Sequence, residues 1–306
     1  REAVDQLAGL SPAAAIDTAA LAQLQSLAAE VAELRAATPR RVIVERQGVP
    51  AVEITGAVHP AFEEVYELAT ARENVFLPGP AGCGKSHIAH QVADALGLRF
   101  GSISCSAGMS ESQLLGRMVP QGKSGAFEFL GTQFLDCYEN GGVFLFDEID
   151  AADSNVLLVV NSALANGAMS VPSRPGKPVA KRHADFVCIA AANTYGRGAD
   201  RIYCGRNPLD EATLDRFRLG TVDMGYDRAL ERQLWDALGN GADVAALETL
   251  WQYRERIESA RLERVLSSRF IMQAAKALAR GRDLDYVASK LFKGWRQDEV
   301  SKVKSY

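Results

Sequence analysis

The sequence predicts an α/β fold, a parallel sheet covered by helices on both faces and followed by a small all-helical domain. Three observations predict it. Short, fully apolar stretches alternate with amphipathic helical segments from Asn74 to Ala192, and strands buried on both faces lose the inside–outside alternation of half-exposed ones. Strand-like stretches stop after about Asp227, and only helical spacing continues. The 306 residues, 47% of them apolar and 24% charged, match a globular chain of about two domains.

Taken in order, the chain opens on an Ala-rich helical segment. Ser11-Pro12 reads as N-cap and first helical position, and Ala13 to Ala37 contains no Gly or Pro. Ala20, Leu24, Leu27, Val31 and Leu34 recur at alternating spacings of four and three, an a/d seam of about two heptads. Such a helix either docks on its own body or binds a partner. Thr38-Pro39 ends it. Two β-like stretches follow, Arg41–Glu45 and Ala51–Thr55, and then a helix from Ala61 to Arg72. Asn74–Leu77 is an apolar strand, Lys85–Leu96 a helix, Arg99–Ser104 a strand and Thr132–Glu139 a helix. Val143–Phe146 is an apolar strand, Ser154–Ala165 a helix, and Phe186–Ala191 another strand. Arg228–Leu238, Val244–Ala260, Arg269–Arg280 and Leu284–Trp295 all carry helical spacing. The boundaries expected from this pattern are an arm over residues 1–38, an α/β core over 39–226 and a helical domain over 227–306.

Composition excludes some classes. With 34 Lys plus Arg against 38 Asp plus Glu, the net charge is −4, which rules out a chain that coats nucleic acid by bulk charge. No apolar run approaches the ~20 residues of a membrane helix. The start lacks the basic region and apolar block of a signal peptide, and Arg1 in place of Met suggests a trimmed start. The five cysteines, Cys83, Cys105, Cys137, Cys188 and Cys204, show no CxxC pair or zinc-ligand spacing. They read as free thiols of a cytoplasmic protein.

Gly79-Pro80-Ala81-Gly82-Cys83-Gly84-Lys85-Ser86, with His87 next, fits G-x-x-x-x-G-K-[ST] between a strand and a helix. Its glycines let the backbone turn N–H groups toward phosphate oxygens, and the helix N-terminus adds partial positive charge. Lys85 reaches the β- and γ-phosphates of a nucleotide, and the Ser86 hydroxyl ligates Mg²⁺. Cys83 lies where a helix N-terminus and a lysine favour a thiolate. Asp147, 62 residues after Lys85, and Glu148 end the apolar strand Val143–Phe146. Asp147 suits a Mg²⁺ shell, and Glu148 suits polarising an attacking water. Asn193, at the tip of the next strand, can place that water and sense the γ-phosphate. Arg216, 23 residues further on, can neutralise transition-state charge from a neighbouring subunit. Arg218 is the nearest competing candidate. Ser267 or Ser268 can cap a helix that puts Arg269 in its first turn, where a cation suggests an anionic partner such as the nucleotide.

These residues, in this order, resemble the AAA+ ATPase superfamily. Gly79–Ser86 matches Walker A, Phe144–Glu148 Walker B, Asn193 sensor 1, Arg216 the arginine finger and Arg269 sensor 2. The stretches NVFLPGPAGCGKS, GGVFLFDEIDAADSNVL, NSALANG, AANTYGRGAD and LDEATLDRF look most like the MoxR, NorQ/CbbQ and cobaltochelatase CobS-like branch, which includes phage-encoded relatives. Residues 166–183 look like the β-hairpin insert of that branch. The resemblance implies a P-loop NTPase sandwich with a helical lid, a hexamer-like ring or spiral, and ATP and Mg²⁺ at subunit interfaces. It also implies remodelling of a protein client, often with a von Willebrand factor A-type partner. Two alternatives stay open. Arg174, Lys177, Lys181, Arg182 and His183 form a basic cluster that could serve a nucleic-acid motor or loader. The N-terminal helix could serve a nucleotide-gated structural assembly.

Overall fold

The computed structural model describes residues 42–46, 49–54, 56–122 and 125–304. The N-terminal helix with its a/d seam, together with Arg41 and Thr55, lies outside the described residues. Two strands, β1 (Val42–Arg46) and β2 (Val49–Ile54), pair antiparallel. Helix α1 (Phe62–Thr70) buries Phe62, Val65 and Ala69 along one stripe. Strand β3 (Val75–Pro78) then leads through a loop into α2 (Lys85–Leu96). Strand β4 (Phe100–Ser104), the single-turn α3 (Ser112–Leu115) and the antiparallel pair β5 (Arg117–Gln121) and β6 (Ala126–Leu130) follow. Helix α4 (Gln133–Asn140) starts on the Thr132 side chain, which accepts from Leu135 N.

Strand β7 (Gly142–Asp147) precedes α5 (Ser154–Asn166), capped by Asp153. The short β8 (Ala168–Ser170) and β9 (Val179–Lys181) pair antiparallel, placing a hairpin within the expected insert. Strand β10 (Phe186–Ala192) completes the sheet. Beyond it are α6 (Glu211–Asp215), α7 (Arg228–Gly239), α8 (Val244–Ser259), α9 (Ser268–Ala279), α10 (Leu284–Leu291) and α11 (Gln297–Lys304).

Four strands form one parallel sheet in the order β3-β10-β7-β4. Period-2 geometry splits their side chains between two cores. Phe76, Phe144, Phe146, Cys188 and Ala190 pack on one face, and Val75, Leu77, Val143, Leu145, Val187 and Ile189 on the other. All seven residues of β10 are buried, as expected for a central strand. Register matters most for function. Ala192 pairs with Pro78, and Ser104 with Asp147, so the carboxyl ends of the strands align along one edge. Ligand sites of open α/β sheets form at that edge.

The chain also runs beside the outer edge of β3. Phe76 N donates to Gly220 O at 2.9 Å, and Met224 N donates to Pro78 O at 2.9 Å. Gly79 follows from this contact, because a Cβ there would lie 2.2 Å from Met224 O.

The C-terminal helices hold a core of their own, around Trp235, Leu247, Leu250, Ile271 and Val303. One expectation needs correction. The helix expected over Leu284–Trp295 ends at Leu291, because the chain turns through Gly294 at φ 82°, and α11 follows. The β5–β6 hairpin carries too little alternation to signal strands, since Phe127 and Leu130 are exposed on it. No helix among the described residues is long and apolar enough to cross a membrane.

Candidate functional site

The loop between β3 and α2 is tied to the sheet at its start, where Gly79 N donates to Ala192 O at 3.1 Å. It ends on Gly84 at φ 107°, a left-handed conformation that an L side chain resists. No side chain caps α2, so its first N–H groups are left for a ligand. Two phenols brace the middle of the loop. The Tyr203 hydroxyl accepts from Ala81 N at 2.9 Å, and the Tyr226 hydroxyl donates to Ala81 O at 2.8 Å.

Lys85 is 7% exposed, and its ammonium donates to Gly79 O at 2.7 Å, Pro80 O at 2.9 Å and Asn193 Oδ1 at 3.0 Å. Among the described residues no carboxylate pairs with it. Its direct partners are neutral, Cys83 Sγ at 3.9 Å among them, while the Asp147 and Asp150 carboxylates attract it from further off; a buried cation so held favours an anion. Burial accordingly pushes the Lys85 pKa below its ordinary value.

The Ser86 hydroxyl donates to Asp147 Oδ2 at 2.6 Å, so two hard oxygens from different elements meet at one point. That donor set suits Mg²⁺, which prefers one or two protein oxygens plus phosphate and water. Glu148 follows in a left-handed turn at φ 56°. Arg206 Nη2 donates to its Oε1 at 3.0 Å. Asp150, fully buried, accepts at Oδ2 from Asn193 N, Thr194 N and the Thr194 hydroxyl at 3.2, 3.1 and 2.9 Å. This fixes the turn after β10 and hence the Asn193 amide that meets Lys85.

Gly82, Lys85, Ser86, His87, Asp147, Glu148, Asn193 and Arg269 line one cavity of about 480 Å³. Burial and neighbouring His90 push the His87 pKa down, which favours the neutral ring. Arg269 reaches the cavity from the first turn of α9. Of the two candidate caps, Ser267 is the one used, accepting from Phe270 N at 3.3 Å. Ser268 turns inward and donates to buried Glu231.

Three further candidates have surroundings of their own. Arg216 stands apart from this cavity, at the end of α6, where it donates to the carbonyls of Asn161 and Ala212. Arg218 is engaged on its own surface by Glu211 at 2.8 Å and Asp215 at 3.2 Å. Cys83 is not an activated thiol: burial raises its pKa and outweighs the Lys85 charge beside it. Within the basic cluster, Glu139 holds Arg174 at 2.5 Å and Lys177 at 2.9 Å, so part of its charge is neutralised internally.

Sequence patterns missed Asp150, Tyr203, Arg206 and Tyr226. Asp150 had a signal, as a third acid two residues after Glu148. The other three lie in aperiodic segments and gave none.

Residues 74–217 match the AAA domain (dynein-related subfamily). The chain is 27% identical over 165 residues to an uncharacterized protein of Staphylococcus epidermidis, covering 53% of this chain and 60% of that one. It is 28% identical over 167 residues to the uncharacterized protein YojN of Bacillus subtilis, covering 54% of this chain and 51% of that one. The chain thus spans between half and two thirds of the length of these relatives. Among solved structures, the RuvB Holliday junction branch migration motor of Thermotoga maritima is 18% identical, with a TM-score of 0.46, covering 79% of this chain and 65% of that one. Residues 74–217 are therefore similar to the AAA domain of the dynein-related subfamily, and the parallel sheet with its flanking helices is an α/β fold.

Proposed function

We propose that this chain is a Mg²⁺-dependent ATPase that acts as a hexamer-like oligomer and remodels a protein client, in the manner of the MoxR and CobS-like branch. The observation that carries the reading is one cavity bringing together a buried Lys85 with neutral direct partners, the Ser86–Asp147 oxygen pair, Glu148 and Asn193. Gly82, Gly84 and the open start of α2 cradle phosphate oxygens, and Lys85 exchanges its neutral partners for them. Ser86 and Asp147 hold Mg²⁺, which supplies charge neutralisation on the phosphate oxygens. Glu148 accepts a hydrogen bond from the attacking water, and Asn193 fixes that water's other side. Arg269 binds anionic oxygen from the lid. Arg216, turned away from its own cavity, serves the site of a neighbouring subunit.

The partly neutralised basic cluster favours a protein client over nucleic acid, and a von Willebrand factor A-type partner fits the branch. The five free cysteines suit a reducing cytoplasm. Lys85→Ala should abolish tight nucleotide binding in a fluorescent-nucleotide titration. Glu148→Gln should keep binding while phosphate release stops. Undiminished turnover in Glu148→Gln would remove the hydrolytic role from this site.

A further inference from the structure

We propose that Arg206 is a positioning residue for hydrolysis, holding one oxygen of Glu148 so that the other faces the water. The inference rests on the ATPase reading above. Glu148 lines the cavity, and Arg206 grips its Oε1 from the loop outside at 3.0 Å. A carboxylate has two oxygens with about four lone-pair sites, so this contact leaves Oε2 available to a water.

Arg206 is the fixed partner of the pair. Its side chain is 13% exposed, against 42% for Glu148. Its Nη1 lies 3.4 Å from Asp150 Oδ1, on a carboxyl group that is fully buried. The adjoining residue locks the same loop, with Asn207 N donating to Asp150 O at 2.6 Å and Asn207 Nδ2 to Ala152 O at 3.1 Å. Asp150 therefore orders both flanks of the water site: Asn193 through Oδ2 and Glu148 through Arg206. Glu148 needs such support because its own backbone sits in a left-handed turn at the end of β7. Phosphoryl transfer through a loose transition state depends more on placing the nucleophile than on deprotonating it. Orientation is therefore the larger effect.

The test is steady-state ATP hydrolysis by the full chain, with nucleotide affinity measured in parallel. Arg206→Ala should lower kcat by about 10- to 100-fold and leave KM and nucleotide Kd within about twofold. A merely structural role would weaken binding as well. Because Arg206→Ala leaves Asp150 buried without its cation, Arg206→Ala with Asp150→Asn removes that charge and should keep the kcat defect in a folded protein. A kcat that is unchanged or raised in Arg206→Ala, or restored in the double variant, overturns the proposal. No turnover in the unaltered protein overturns the ATPase reading itself, and this inference with it.

Discussion

Replacing Glu231 by Ala removes the centre of a buried polar cluster in the helical region. The Glu231 carboxylate accepts from Arg254 Nη2 at 2.6 Å, Arg254 Nη1 at 3.0 Å, Trp251 Nε1 at 2.6 Å and the Ser268 hydroxyl. Glu231 is 1% exposed and Arg254 8%, so the truncation strands a guanidinium that, among the described residues, keeps only the Leu266 carbonyl as a hydrogen-bond acceptor. Removing one partner of a buried pair costs about 3–5 kcal/mol. At roughly 2–4 °C per kcal/mol for domains of 150–250 residues, the melting temperature should fall by about 6–20 °C.

The effect should reach the nucleotide as well. Arg254 stacks on Tyr226 at 4.1 Å, Tyr226 holds Ala81 of the phosphate loop, and Ser268 precedes Arg269. Thermal unfolding followed by circular dichroism gives the first readout, and nucleotide Kd the second. Glu231→Leu with Arg254→Met, which removes both charges, should recover most of the lost stability. A fall of less than about 2 °C in Glu231→Ala would refute the reasoning, since an uncompensated buried charge costs more than that.

Two further outcomes follow from the site. The Lys85 pKa is depressed by burial from its ordinary 10.5, and a bound polyphosphate should raise it again. Nucleotide affinity should therefore be full below the free-protein pKa and fall as pH rises through it toward the bound-state value. Proton uptake on binding, measured calorimetrically in buffers of different ionisation enthalpy, checks the sign; proton release would contradict it. For the proposed oligomer, Arg216→Ala should lower turnover without unfolding the subunit. Mixing it with Glu148→Gln should restore a measurable fraction, because one variant keeps Glu148 in its own cavity and the other lends Arg216 to its neighbour. No recovery in hetero-oligomers verified by sizing would place Arg216 outside the shared site.

Local chemistry made much of the fold legible. Lys85–Leu96 is the helix that its spacing predicts, and the apolar runs at Val75, Val143 and Phe186 are strands of the parallel sheet, because burial on both faces demands uniformly apolar residues. The β5–β6 hairpin escaped because exposed strands need no such pattern. Cys83 misled because proximity to a lysine favours a thiolate only where solvent or dipoles can support the charge, and here burial dominates.

The candidate site divides along the same line. Gly79, Gly84, Lys85, Ser86, Asp147 and Glu148 are visible in the chain itself, since a phosphate-binding turn and a charged strand end impose residue types at short, fixed spacing. Their meeting depends on register: Pro78 opposite Ala192 and Ser104 opposite Asp147 bring four strand ends to one edge. Arg206 on Glu148, Asp150 beneath Asn193, and Tyr203 and Tyr226 on Ala81 belong wholly to the tertiary structure. Those contacts join residues 43 to 145 positions apart, and sequence spacing carries no information about pairs that only folding brings within hydrogen-bond distance.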